Sequence, residues 1–163
     1  MSGHRPADAA AFVATVEHAT NHHVIGAARD IFADDARWVA ITDGASEESV
    51  GLRAIDTAWA QACATFQARQ FRVRKRLVAA TEDTIINEWD GGPRGRNSGR
   101  GIEVWRFNHE GMVAHLSAYS YLKVRSPFHP LQTVQLLLGS PGMTIAAGLA
   151  RLRHRSNRLE HSA

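Results

Sequence analysis

The chain has 163 residues, a length that corresponds to one ordinary domain. Its 19 basic and 16 acidic residues give a formal charge of +3, and residues 151–161 alone contain four arginines and one glutamate. Because the rest of the chain is balanced, we expect no nucleic-acid partner. No apolar run approaches the roughly 20 residues of a membrane span. The single cysteine, Cys63, cannot form an internal disulfide, so we expect a reducing, cytoplasmic setting.

The first part of the chain shows the apolar spacing of helices, interrupted by one short strand pattern. Thr20-Asn21 separates the first two helical patterns, and Thr42-Asp43-Gly44 has the composition of a turn that ends the strand. The third helical pattern repeats apolar residues, Cys63 among them, at three- and four-residue steps, which is typical of a helix packed on a core. The predicted helices are 8–19, 22–32 and 52–67, and the predicted strand is 37–41.

After the third helix the apolar period changes to two residues, which predicts strands. In the first of these, 71–79, the apolar residues Phe71, Val73 and Leu77 alternate with arginines, so one side should face water or a partner. Residues 91–101 contain five glycines and predict a mobile hairpin loop. The other predicted strands are 84–89, 101–107 and 112–124, and the residues beyond 127 predict further helices.

Three segments resemble the NTF2-like superfamily, which includes ketosteroid isomerase, SnoaL-like polyketide cyclases and scytalone dehydratase. IFADDARW at 31–38 resembles a helix-to-strand junction, SVGLRAI at 49–55 the glycine-led start of the third helix, and GIEVWRFNHEGMVAHLSAY at 101–119 the last hairpin. The resemblance implies an α+β fold, a cone in which a curved mixed or antiparallel sheet wraps around three helices. We therefore expect an NTF2-like (SnoaL-like) domain at 1–126 and a helical extension with a basic tail at 127–163.

The resemblance also locates the positions at which related enzymes carry their proton-transfer groups. The first-helix tyrosine and first-strand aspartate of ketosteroid isomerase fall at Val16 and Ala40, and the last-strand aspartate of SnoaL-like cyclases falls at about Ala118. Only the acid on the penultimate strand keeps a carboxyl group, Glu103. The chain therefore resembles the scaffold of both families without the full residue set of either, and we do not expect a ketosteroid isomerase.

Glu103 is the main catalytic candidate. If strand parity follows the resemblance, it points into the cone, where a carboxyl group among tryptophans should be protonated or hydrogen-bonded. The alternative is an ion pair with Arg106 or with an arginine of the segment 72–76. Side chains that share the inward direction are candidate ligand contacts, although tryptophans also commonly form cores. These side chains are Trp38, Asn87, Trp89 and Trp105.

Two further candidates belong to the first and the last predicted strand regions. Asp43 follows the first strand at the expected pocket rim, where it is either a second catalytic group or a turn residue before Gly44. Tyr119 shares one face of the last strand with His115 and Tyr121. By parity this face is outward, where related proteins dimerise, unless a bulge turns Tyr119 towards a ligand. We therefore expect a homodimer and keep Tyr119 as a ligand-binding candidate.

Metal and nucleophile chemistry have weaker support. His18, His22 and His23 have helical spacing, but no cysteine or carboxylate cluster accompanies them, so we expect no metal and no cofactor. Cys63 lies on the apolar side of the third helix, where a buried structural thiol is the usual state.

Two functional hypotheses follow for a protein that binds a small apolar or aromatic ligand. The first is a cofactor-free isomerase, dehydratase or cyclase that acts by acid/base chemistry on an apolar oxygenated metabolite. The second is a ligand-binding or interaction module of the same fold without turnover. The enzyme hypothesis needs two polar groups that converge in the pocket, and the sequence offers one strong candidate, Glu103. A third reading uses the apolar and arginine-rich residues 130–158 at a membrane surface.

Overall fold

The computed structural model describes residues 3–122, so the expected extension at 127–163 and its basic tail lie outside the described residues. Within residues 3–122 the chain forms three helices and six strands. The helices are α1 Ala9–His22, α2 Ala27–Ile31 and α3 Leu52–Arg69. The strands are β1 Phe32–Thr42, β2 Ala45–Val50, β3 Phe71–Ala80, β4 Thr84–Pro93, β5 Gly99–Phe107 and β6 Val113–Tyr121. None of the described helices is long and apolar enough to cross a membrane.

The strands form one curved, unclosed sheet in the order β2-β1-β6-β5-β4-β3. Neighbouring strands are antiparallel except β1 and β6, which run parallel. The predicted α+β fold with a curved, mixed sheet and three helices is therefore confirmed. The core lies between the helices and the concave face of the sheet, where burying each large apolar side chain contributes about 1.5–3 kcal/mol. Its largest fully buried apolar side chains are Ile55, Ile85 and Val113.

Helix α1 is longer than predicted because the side chains of Thr20 and Asn21 form hydrogen bonds that are compatible with a continuing helix. It begins after Asp8, whose Oδ1 accepts a hydrogen bond from the Ala11 N–H at 2.9 Å. The predicted break at Thr20-Asn21 is absent. The Thr20 hydroxyl donates to the Val16 carbonyl inside the helix, and the Asn21 amide exchanges two 2.8 Å hydrogen bonds with the Val73 backbone.

Strand β2 was not predicted from the sequence. It is joined to β1 by a two-residue turn in which Asp43 and Gly44 have φ angles of 50° and 91°, the left-handed geometry that favours this tight hairpin. The strand sequence, ASEESV, has neither apolar alternation nor high β-propensity. Pairing with β1, which places Glu47 opposite Ala40 and Ser49 opposite Trp38, determines its conformation instead.

The prediction of a long glycine loop at 91–101 is wrong. Strand β4 continues to Pro93 and β5 begins at Gly99, so only residues 94–98 lie between them. Four of the five glycines allow a close approach of other atoms, and Gly101 is an example. A Cβ atom on Gly101 would lie 2.4 Å from Nε1 of Trp89, the residue opposite it in the β4–β5 pair. Glycine at this position therefore gives the Trp89 indole room to lie over the neighbouring strand.

Candidate active site

A cavity of about 470 Å³ opens inside the cone, between the helices and the concave face of the sheet. This volume lies within the range of roughly 300–1,000 Å³ that small-molecule sites occupy. Aromatic side chains from β1, α3, β3, β4 and β5 form much of its wall. They are Phe32, Trp38, Trp59, Phe66, Phe71, Trp89 and Trp105.

The structure brings most of the sequence-predicted residues to this cavity. Trp38, Trp89, Glu103 and Trp105 all line it, as expected from strand parity. The charged side chains on its wall, within the part of the chain that the structure describes, are Lys75, Glu103 and Glu47. The cavity wall is thus largely apolar, and a small number of ionisable groups interrupt its aromatic surface.

Lys75 and Glu103 form an ion pair on the cavity wall. The Lys75 Nζ lies 2.6 Å from both Oε1 and Oε2 of Glu103. Only 5% of the Lys75 side chain and 13% of the Glu103 side chain are exposed. A charge-assisted contact this short, in surroundings of low dielectric constant, is much stronger than the same contact at the surface.

Asn87 holds one oxygen of Glu103 in place through a hydrogen bond. It is fully buried on β4, where its Nδ2 donates to Glu103 Oε2 at 2.9 Å and its Oδ1 accepts from the Trp105 indole N–H at 2.7 Å. From the sequence, Asn87 was expected to contact a ligand. Its side chain is instead directed into this network and is absent from the cavity wall, because both ends of the amide are bonded to Glu103 and Trp105.

The partner of Glu103 differs from the expectation. The sequence suggested an acid that is protonated or hydrogen-bonded, or one that is paired with an arginine. Glu103 is hydrogen-bonded, by Asn87, and the ammonium group that contacts both of its oxygens belongs to Lys75 and not to an arginine. This geometry is that of an ionised carboxylate. The arginines Arg72, Arg74 and Arg76 alternate with the inward residues of β3 and therefore lie on the other face.

Lys75 was missed by the sequence reasoning, although a signal was present. In FRVRKRL the inward period runs through Phe71, Val73, Lys75 and Leu77. A basic residue in an apolar period predicts a buried or pocket-lining charge that needs a partner. The Lys75 backbone is also held in place, because its N–H donates to the Glu17 carboxylate of α1.

The three positions to which the sequence resemblance assigned proton-transfer groups other than Glu103 face the cavity. Val16, Ala40 and Ala118 all lie on its wall. Ala118 is the register partner of both Ala40 and Glu103, so these residues form one continuous patch of the concave face. Val16, Ala40 and Ala118 therefore contribute apolar surface to the cavity wall.

Asp43 and Tyr119 are not brought to the cavity. The Asp43 N–H donates to the Ser120 carbonyl at 2.9 Å, and its Oδ1 accepts from the Leu122 N–H at 3.2 Å, so its contacts are those of a turn residue. Tyr119 is 44% exposed on the opposite face of the sheet, since its neighbours Ala118 and Ser120 point inward. The bulge in the β5–β6 pair, between Arg106 and Phe107, does not turn Tyr119 around.

The other reactive candidates, Cys63 and the histidines of α1, do not line this cavity. Cys63 is 1% exposed, and burial raises the pKa of its thiol, as in an unreactive core cysteine. The His18 and His22 rings stack at 4.0 Å on α1. Among residues 3–122, no group of three or more histidine, cysteine or acidic side chains is gathered as a metal site.

No family model and no curated protein matches the sequence of this chain. Solved structures do match it. An NTF2-like protein of unknown function from Mesorhizobium loti is 17% identical over 72% of this chain and 98% of its own, with a TM-score of 0.53. A SnoaL-like protein of unknown function from Burkholderia thailandensis is 18% identical over 68% and 95%, with a TM-score of 0.51. A steroid delta-isomerase from Pseudomonas aeruginosa is 19% identical over 90% and 97%, with a TM-score of 0.51.

Similarity at these identities concerns the fold and not the reaction, because one scaffold supports many activities. The six-stranded sheet, the three helices and the matched structures agree with the three sequence segments that resemble the superfamily. This protein therefore has the NTF2-like fold.

Proposed function

We propose that this protein binds a small, apolar, oxygen-bearing molecule in the cavity and that Lys75 and Glu103 perform acid/base chemistry on it. The reaction class is a cofactor-free isomerisation, dehydration or cyclisation. The observation that carries the proposal is the Lys75–Glu103 pair itself, a proton donor and a proton acceptor 2.6 Å apart on the wall of an aromatic cavity. These are the two converging polar groups that the enzyme hypothesis requires.

The roles follow from the chemistry of the two side chains. The Lys75 ammonium has only donors, so it can hydrogen-bond to a ligand carbonyl or hydroxyl oxygen and stabilise negative charge that develops there. The Glu103 carboxylate can accept a proton from a neighbouring carbon or hydroxyl group. Asn87 keeps one Glu103 oxygen in place while Lys75 turns to the ligand, since its hydrogen bond does not depend on Lys75.

The cavity wall favours an uncharged ligand with flat or bulky apolar surface. Its aromatic side chains offer stacking and edge contacts, as Trp38 and Trp59 already make with each other at 6.4 Å. The positive charge of Lys75 is balanced by Glu103, so an added carboxylate would lack a counter-ion there. The name of one structural neighbour, a steroid delta-isomerase, agrees with a reaction of this kind on an apolar molecule.

The alternative is a binding module without turnover, and one observation favours it. Val16, Ala40 and Ala118 supply no proton-transfer group at positions where related enzymes carry one. In that case Lys75 would serve only as a hydrogen-bond donor that orients the ligand.

The two functions can be separated without knowing the natural ligand. The probe is β-tetralone, an apolar bicyclic ketone with acidic hydrogens beside its carbonyl, incubated with the full chain in deuterium oxide. Catalysed exchange is followed by proton NMR, and binding by quenching of tryptophan fluorescence. Replacement of Glu103 by Gln should lower the exchange rate about a hundredfold or more while binding changes little. The matched control is Glu82→Gln on the exposed surface, which should leave both unchanged.

Binding without exchange above the rate in buffer would favour the binding module without turnover. Failure of apolar oxygenated probes to bind would contradict both functions.

We also infer a homodimer that uses the outer face of β5 and β6, where Ile102, Tyr119 and Tyr121 are exposed. Light scattering at micromolar concentration should return twice the chain mass, and Tyr119→Glu should return the monomer mass. A lone buried cysteine supports the proposal of a reducing, cytoplasmic setting.

A further inference from the structure

We infer that Lys75 forms an imine with the carbonyl group of an apolar aldehyde or ketone in the cavity, with Glu103 as the proton carrier. The inference rests on the proposed function, because it uses the same cavity, and it names the substrate class and a covalent step. Lysine amines that lie in apolar pockets beside a proton-transferring group are the usual source of such imines.

The placement of Lys75 fits this role. Its side chain ends on the cavity wall and is almost fully withdrawn from solvent. Its backbone is held by Glu17 of α1, and the neighbouring Val73 is held by Asn21. Because the strand is fixed at two points, the Lys75 amine can keep a well-defined orientation relative to a bound carbonyl group.

Glu103 can carry the proton of the first step and of the last step of the reaction. It first takes a proton from the Lys75 Nζ, which leaves a neutral amine. The nitrogen attacks the carbonyl carbon, a C–N bond forms, and the carbonyl electron pair moves to oxygen, which takes up the proton released from nitrogen. Glu103 then returns its proton to this hydroxyl group, the C–O bond breaks, and water leaves as the C=N bond forms. One ammonium and one carbonyl yield one iminium and one water, and no oxidant or reductant is consumed.

Charge balance favours this product. The iminium carries the same positive charge as the ammonium that it replaces, so the pairing with the Glu103 carboxylate persists. No unpaired charge is created in the apolar cavity, which is where such a charge is most costly. The Asn87 hydrogen bond to Oε2 remains available through all steps. The iminium also makes hydrogens on the adjacent carbon more acidic, which fits the acid/base role of Glu103.

The chain offers a clean test because it contains only two lysines, Lys75 and Lys123. The full chain is incubated with naphthaldehyde and sodium cyanoborohydride, which reduces any imine to a stable amine, and the alkylated sites are located by peptide mass mapping. Lys75 should be alkylated roughly tenfold or more faster than Lys123 and the N-terminal amine. Lys75→Arg should abolish the fast reaction, Lys123→Arg should leave it intact, and Glu103→Gln should slow it.

A matched alcohol separates this inference from the proposed function. Naphthalenemethanol has the same apolar body but cannot form an imine, and its binding is measured by tryptophan fluorescence. If the alcohol binds and Lys75 reacts no faster than Lys123, the imine is overturned while ligand binding stands. If neither the aldehyde nor the alcohol binds, both proposals are overturned. An unchanged Lys75 rate in Glu103→Gln would overturn the proton-carrying role of Glu103.

Discussion

Lys75 and Glu103 meet at 2.6 Å although strand β4 lies between their two strands. Cα atoms two strands apart in a sheet are separated by roughly twice the 4.7–4.9 Å strand spacing. Lys75 and Glu103 meet because both side chains lie on the concave face and are long enough to span this distance together. The intervening Asn87 bonds to Glu103 from its place opposite it in the β4–β5 register. The pair therefore depends on the order of the strands, and its stability should depend on both partners at once.

The first prediction concerns this mutual dependence. Lys75→Met and Glu103→Gln should each lower the free energy of unfolding by about 3 kcal/mol, because each leaves a buried group without its partner. The double variant should lose clearly less than the sum of the two. Urea unfolding measures all three, with Arg76→Met as control, since its exposed pair with Glu88 should contribute less than about 1 kcal/mol. Additive losses would show that the two side chains are not coupled.

The second prediction concerns Asn87. Asn87→Leu should destabilise the protein by about 2 kcal/mol, since it leaves the buried Trp105 indole N–H without an acceptor and removes one of the two donors to Glu103 Oε2. The exposed Asn97→Leu is the control and should stay within about 0.5 kcal/mol. NMR should also show a shifted Trp105 indole resonance in the first variant. Equal stability of the two variants would contradict the supporting role of Asn87.

The third prediction concerns the packing of Trp89 on Gly101. Gly101→Ala should cost about 1–3 kcal/mol, because the new Cβ would lie 2.4 Å from both the Trp89 Nε1 and the Tyr119 carbonyl oxygen. The displaced indole should change the tryptophan fluorescence spectrum and weaken binding of naphthalenemethanol. Gly95→Asn, in the 94–98 loop with no atom near its added Cβ, should be close to neutral. Wild-type stability and spectrum in Gly101→Ala would contradict this packing.

The fourth prediction is a pH dependence that arises at His115. Burial lowers the pKa of this histidine, and the nearby Arg106 and Arg37 lower it further, against a smaller opposite effect of Glu48. The unfolded chain therefore binds the proton at higher pH than the folded protein does. As pH falls through the ordinary histidine value of about 6.5, stability should decline, and the decline should end once the folded His115 is also charged.

Histidine NMR titration of the folded protein tests this prediction directly. The His115 midpoint should lie below the ordinary histidine value of about 6.5, and His115→Gln should remove part of the decline in urea-unfolding stability. A His115 midpoint at or above that ordinary value would show that burial and the two arginines do not act as described.

The secondary structure of two short segments could be recognised only from the tertiary structure. Thr20 and Asn21 carry a turn-like composition, yet the helix continues through them because Val16 and the distant Val73 satisfy their side chains. The glycines of 91–101 have the composition of a loop, yet strand pairing and the Trp89 indole account for most of them. In each case a partner remote in sequence outweighs the local propensity.

The sequence by itself determined the order of most elements and the inward direction of Trp38, Trp89, Glu103 and Trp105, because both depend on local period. Apolar residues recur every two positions in a strand, and every three to four positions in a helix, when the element buries one side. That pattern can be read from the sequence without knowing what the element packs against. Only the tertiary structure decided that Glu103 pairs with Lys75 and that Asn87 supports the pair. Those contacts join β3, β4 and β5, so they depend on which strands become neighbours and in which register, and no local period records either.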